Sequence, residues 1–233
     1  MKLRYLGCAV AGLVLALMAA PVAAQTGELG PPARERGYVI GFGGPAATAV
    51  TSPFFGASAG ANVTRNIQLV GEVGRMQDVF ATFTRDDLRL AEQDFATTEG
   101  AVLAASVKMP TVFATGGVRV LLANNYRVRP YLSAGAGVAR LDPKPTFLIE
   151  GIDLTSIAMQ EPALNTMFDR QIKPMAVVGG GVAVEVVRHF TVHAGYRYSR
   201  IFVDTNYLQS PDSPHNHKGF NVHRAYLGAG VAF

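Results

Sequence analysis

The segment Asn221–Phe233, N-V-H-R-A-Y-L-G-A-G-V-A-F, alternates residue by residue up to a final phenylalanine. Ala225, Leu227, Ala229, Val231 and Phe233 share one face, while Arg224, Tyr226, Gly228, Gly230 and Ala232 share the other. A period of two is that of a β-strand, and strict alternation sets one face against an apolar medium and the other against something polar or crowded. A strand that stops on an aromatic residue with no polar tail fits a sheet that closes on itself, where the last strand must pair.

The opposite end has a different grammar. Lys2 and Arg4 precede an apolar run, Leu6–Ala19, and Pro21-Val22-Ala23-Ala24 offers small residues before Gln25. Basic start, apolar middle and small-residue end make a secretory signal peptide over residues 1–24, cut after Ala24. The run is too short to span a bilayer comfortably. Cys8 is the only cysteine and sits at the start of the run, ahead of the cut, so the mature chain is expected to have no disulfide and no lipid-modified cysteine. Without Lys2 and Arg4 the 21 basic residues fall to 19 against 17 acidic ones, and no basic run points to nucleic acid. Residues 25–36 hold Pro31-Pro32 and the charged Arg34, Glu35 and Arg36 and read as a flexible lead-in to a single domain over 37–233.

Seven more alternating segments precede the last. They are Tyr38–Gly44, Phe54–Val63, Ile67–Val79, Thr111–Leu122, Val128–Leu141, Pro174–Val186 and Phe190–Phe202. In the fourth, Val112, Ala114, Gly116, Val118 and Val120 oppose Thr111, Thr115, Gly117 and Arg119; in the seventh, Val192, Ala194, Tyr196 and Tyr198 oppose His193, Arg197 and Ser199. The sixth is apolar on both faces apart from Glu185, and its orientation is not assigned from sequence. Tilted membrane strands need about 9–11 residues, which all of these segments except the shorter Tyr38–Gly44 supply. Three connections are tight (Thr64–Asn66, Ala123–Arg127, Val187–His189) and four are longer (Pro45–Pro53, Phe80–Pro110, Asp142–Lys173, Asp204–Phe220). Short turns at one end and long loops at the other predict an all-β fold, an eight-stranded antiparallel up-and-down transmembrane β-barrel with periplasmic turns and extracellular loops. Asp86–Phe95 and Ile152–Phe168 are expected to make two of those loops partly helical. Tyr38, Tyr126, Phe190, Tyr198, Phe202 and Phe233, near strand ends, are expected to form interfacial girdles.

With the apolar faces toward lipid, Gln68, Glu72, Arg119, Glu185, His193, Arg197 and Arg224 fall inside a barrel just wide enough for side chains to fill it. An unpaired buried charge is costly, so these groups are expected to form a charge network that plugs the lumen. Inward glycines make room for Arg and Tyr. A second, basic set stands at the outer strand ends: Lys108, Arg140, Lys144, Lys173 and Arg200, with Arg170 and Lys218. Their stems can snorkel, and their heads match the phosphates of lipopolysaccharide. His215 and His217 have no third ligand in the pattern, so no metal site and no cofactor are expected. A hydrolase would need a nucleophile and base in reach. His193 and Ser199 lie roughly 20 Å apart at strand rise, and His223 has no Ser at matching depth, so no enzyme is expected.

Val192-His193-Ala194-Gly195-Tyr196-Arg197-Tyr198 with the G-A-G-V-A-F end resembles the last hairpin of the OmpA-like/opacity-porin group of small outer-membrane barrels. Gly116-Gly117-Val118-Arg119 and Arg129-Pro130-Tyr131-Leu132-Ser133-Ala134-Gly135-Ala136-Gly137 are similar to its middle strands. The resemblance implies insertion by the outer-membrane assembly machinery through a C-terminal aromatic strand, which Leu227, Val231 and Phe233 match. It also implies residence in the bacterial outer membrane among lipopolysaccharide, as a monomer, with a structural or surface-interaction role. The alternatives are a porin for small or apolar solutes, or a soluble barrel whose apolar faces turn inward.

Overall fold

The computed structural model describes residues 37–80, 82–99, 103–123, 127–160, 168–204 and 218–233. Eight strands close into one cylinder: β1 (Gly37–Ala47), β2 (Thr51–Asn62), β3 (Ile67–Met76), β5 (Thr111–Leu121), β6 (Val128–Leu141), β9 (Gln171–Val187), β10 (Phe190–Ile201) and β11 (Phe220–Ala232). Each is antiparallel to the next along the chain, and β11 returns to β1. At that seam Gly37 and Phe233 exchange two backbone hydrogen bonds, each 2.9 Å. The alternation decides which way each residue points. Leu227 is 68 % exposed and Phe233 65 %, on the outer wall, whereas Arg224 on the other parity is fully buried. The eight expected segments are the eight barrel strands.

The turns at one end are tight. Between β2 and β3 the Thr64 hydroxyl accepts from the backbone N–H groups of Asn66 (3.3 Å) and Ile67 (3.1 Å). Between β9 and β10 His189 takes a left-handed φ of 68°, and its Nδ1 lies 3.1 Å from the Ala232 carbonyl. At the other end the expectations need correction. The connection over Pro45–Pro53 is not a long loop, because Pro45 pairs with Pro53 and the strands run on until only Thr48–Val50 remain. Asp86–Phe95 is the middle of a longer helix, Thr82–Glu99. Ile152–Phe168 is mostly not helix in its described part: Ile152–Asp153 is strand β8, and a single turn follows at Thr155–Ala158.

Unforeseen in sequence, β4 (Leu103–Lys108) and β7 (Lys144–Ile149) join β8 in a separate three-stranded sheet beyond the long-loop end. The β7–β8 hairpin turns on Glu150 (φ 51°) and Gly151 (φ 81°), the paired left-handed residues that a two-residue hairpin favours. This sheet is tied to the barrel by an apolar core that continues upward from the lumen: Met76, Leu141, Met175 and Ile201 from barrel strands, with Val107, Met109 and Phe168 from the loops. Phe147 packs on it from β7. The helix Thr82–Glu99 is fastened to β4 where the Ala105 N–H donates to Glu92 Oε1 at 2.7 Å.

A polar clamp reinforces that junction. Asp78, just past β3, accepts from the Met109 N–H at 3.0 Å, while the Ser52 hydroxyl bonds both its backbone N–H (3.1 Å) and its carbonyl (2.5 Å). Burial pushes the Asp78 carboxyl above its ordinary pKa, and the Met109 N–H and Lys108 only partly oppose this. The native state therefore holds the Asp78 proton more tightly than the unfolded chain, so this group's contribution to stability falls as pH rises from the unfolded value to the raised one.

Two tests follow from this architecture. Leu227→Arg, near the middle of β11, is expected to cost about 2–4 kcal/mol in urea unfolding from lipid vesicles, since it puts a charge against hydrocarbon. Asp78→Asn, which keeps an acceptor for Met109, is expected to leave stability at pH 7 within about 1 kcal/mol of the parent and to remove this group's share of the fall in unfolding midpoint as pH rises above the ordinary carboxyl range.

Candidate functional site

The lumen is filled in three storeys. Nearest the short turns are Tyr38, Gln68, Arg119, Tyr131, Thr191 and His193, all buried. The middle holds Glu72, Arg197, Arg224 and Ser199 among Phe42, Phe54, Phe113 and Tyr226. Toward the long loops come the methionines and aliphatic residues of the apolar core.

The middle storey is built on one carboxylate. Glu72 Oε1 receives Arg224 Nη1 at 3.2 Å, and Glu72 Oε2 is ion-paired with Arg197 Nη1. Arg224 also donates to the Ser199 hydroxyl at 2.9 Å. β3, β10 and β11 supply these groups, and the register sets Arg197 directly opposite Arg224. Two like charges side by side would repel. Glu72, reaching across the lumen, holds both.

Each buried guanidinium also lies between two aromatic rings. Arg119 is 4.9 Å from the ring centre of Tyr38 and 4.3 Å from that of Tyr131. Arg197 is 5.0 Å from Phe42 and 4.5 Å from Tyr226. Arg224 is 5.5 Å from Phe54 and 4.4 Å from Phe113. A desolvated cation over an aromatic face gains about 2 kcal/mol, so six faces offset a substantial part of the desolvation. The tyrosines need space that glycine leaves: a Cβ on Gly60 would stand 2.5 Å from the Tyr38 ring, and one on Gly195 would stand 2.6 Å from the Tyr226 hydroxyl. The Tyr131 and Tyr226 hydroxyls bond to each other.

The expected lumen residues therefore separate by height. Glu72, Arg197 and Arg224 meet. Arg119 and His193 share the storey below, where His193 Nε2 bonds the Thr191 hydroxyl at 3.0 Å and the ring stacks on Tyr38. Glu185 belongs to neither group, pairing with Arg129 at 2.8 Å near the short turns. Arg129 was not singled out in the sequence, although it shares parity with Tyr131 on β6. Tyr38, expected in an outer girdle, instead lines the lumen. Tyr126, His215 and His217 lie outside the described residues.

At the rim, Lys108 and Lys144 face each other in the β4–β7 register, both exposed. Arg140 points outward from β6, next to Val112, whose other neighbour is Arg75 on β3. Arg200 donates to Asn221 Oδ1 at 3.1 Å on the outer wall. Arg170 pairs with Asp142 at 3.1 Å. Lys173 departs from the expected outward set: it is buried on the inner parity of β9 and ion-paired with Asp204, whose carboxyl it holds below the ordinary range. Leu227, Val231 and Phe233, the residues expected to serve assembly, are all exposed on one face at the C-terminal strand. Ser199 is engaged by Arg224, and His223 points outward to the Tyr196 hydroxyl, so neither contacts His193.

A closed up-and-down cylinder with an apolar outer wall and a polar, packed interior defines a transmembrane β-barrel. The model of the outer membrane protein β-barrel domain family matches residues 10–233, and the chain belongs to that family, which places it in the bacterial outer membrane. Among solved structures it is similar to neisserial surface protein A (16% identity, covering 84% of this chain and 97% of that one, TM-score 0.51). It is also similar to the N-terminal barrel of Pseudomonas aeruginosa OprF (16%, 85% and 98%, TM-score 0.44) and to the attachment invasion locus protein Ail of Yersinia pestis (14%, 84% and 97%, TM-score 0.44). No curated protein matches the sequence.

Replacing Glu72 by Ala leaves Arg197 and Arg224 facing each other with no carboxylate, and is expected to cost about 3–5 kcal/mol in urea unfolding. Adding Arg197→Met to that variant should recover a measurable part of the loss, because it removes the repulsion.

Proposed function

We propose that this protein is a non-conducting, non-enzymatic barrel of the outer membrane, with a structural and surface-interaction role carried by its lipid-facing rim and its extracellular sheet. The observation that carries this reading is the occupied interior: Arg224, Tyr131, Phe113, Met76 and Ile201, at successive heights, are almost wholly shielded from solvent. An eight-stranded cylinder has room for little beyond such side chains. Ail, a neighbour of the same general architecture, is called an attachment invasion protein, which fits a surface role for a small barrel of this kind.

The rim supplies the interacting chemistry. Lys108 opposite Lys144 is a like-charge cross-strand pair, an arrangement that an anionic partner relieves. With Arg140 and Arg200 on the outer wall it fits the phosphates of lipopolysaccharide, while Lys173, already paired, does not take part. Cleavage after Ala24 and recognition of Leu227, Val231 and Phe233 by the assembly machinery complete the reading.

Planar-bilayer recording of the purified barrel is expected to show no steady channels. Steady conductance that changes in Arg119→Ala or Glu72→Ala would establish a solute porin instead. In parallel, the rise in melting temperature on adding lipopolysaccharide should be largely lost in Lys108→Ala/Lys144→Ala and kept in Lys173→Ala. An unchanged rise in the double variant would remove the rim from the reading.

A further inference from the structure

Charge does not balance inside the lumen. Arg119, Arg197 and Arg224 are each at most 4 % exposed, yet among the described residues Glu72 is the only carboxylate within ion-pair distance of any of them. Both Glu72 oxygens are already taken, one by Arg197 and one by Arg224. Arg119 lies over two rings, but a guanidinium donates in its own plane, and among the described residues Arg119 Nε has no acceptor. A fixed, unneutralised guanidinium in a low-dielectric interior is a costly arrangement.

Beside it is a space of about 30 Å³, bounded by Val70, Glu72, Thr115, Arg119, Ser133 and Arg197. Gly117 and Gly135 stand opposite each other on β5 and β6 at its wall. A void of this size holds one or two water-sized species, provided they find polar partners. Water would satisfy donors but leave the charge. A chloride-sized anion accepts hydrogen bonds and also offsets one of the two positive charges that Glu72 leaves unbalanced.

We propose that the lumen binds a single small monovalent inorganic anion, of chloride size, between Arg119 and Arg197, with the Thr115 and Ser133 hydroxyls as further donors. The site does not depend on the surface role proposed above. It makes the anion a resident part of the folded barrel.

The test is urea unfolding of the purified barrel in uncharged detergent, with chloride exchanged for gluconate at constant ionic strength. A ligand bound only by the folded state raises the folding equilibrium constant about tenfold per tenfold rise in its concentration, once above its dissociation constant. The wild type is expected to follow that slope in chloride and bromide. Ser133→Val, which fills the space and touches no charge, and Arg119→Gln, which removes the cation, are both expected to flatten it. Equal stability in chloride and gluconate would mean the space holds water, and would overturn the proposal. A slope that survives in both variants would overturn it too, by placing the anion elsewhere. Should neither variant fold, bromide-soaked crystals of the wild type decide: an anomalous peak beside Arg119 supports the site, and its absence there refutes it.

Discussion

Everything in this molecule depends on one requirement of hydrocarbon: it offers no partner to a backbone N–H or C=O, so each strand must find two neighbours. Seven of the eight pairings join strands that follow one another around the sheet. The eighth, β1 with β11, joins the two ends of the barrel and is completed by the reciprocal bonds of Gly37 and Phe233. Once that seam is made, side-chain direction is no longer free. Every odd-even choice along a strand becomes a choice between lipid and lumen. The belt of Leu, Val and Phe and the buried set of Arg, Glu and Tyr are two consequences of the same closure.

The lumen then poses a problem of charge in a narrow space. Three guanidiniums are kept there with one carboxylate. Two aromatic rings near each cation do much of what water would do, at separations of 4.3–5.5 Å. The rings are wide, and glycines on adjoining strands give them room. Arginine suits this better than lysine, because its flat group can be stacked on both faces while its edge still donates.

Much of this was legible in the sequence where the two faces of a strand differ chemically. β5 and β11 alternate between Val or Leu and Arg or Thr, and their orientation follows at once. β1 does not: Tyr38, Ile40 and Phe42 are as apolar as a lipid-facing row, because the lumen they enter is itself lined with rings. Hydrophobicity alone could not distinguish the two sides, and Tyr38 was misplaced for that reason. Lys173 misled similarly, since its partner Asp204 lies 31 residues away, past the whole β9–β10 hairpin. Pro45 and Pro53 read as loop, yet two prolines facing each other near a barrel rim still permit the strands to continue. The pairing of each arginine with two rings comes from strands far apart in the chain, and no local spacing encodes it. The sheet of β4, β7 and β8 was missed because its strands of six, six and two residues lie within loops, where the alternation is too short to stand out.

The extracellular sheet has roots. Val107, Met109 and Phe168 continue the same apolar column that rises through the lumen from Met76, Leu141 and Met175. This divides the exterior into two regimes. Positions such as Lys108, Lys144 and Ile157 are exposed and take no part in that core. Val107 and Met109 alternate with such positions along the same short stretch, and substitution there would be felt several ångströms down, inside the membrane. Exposed surface and buried anchor are therefore interleaved residue by residue along Ser106–Met109.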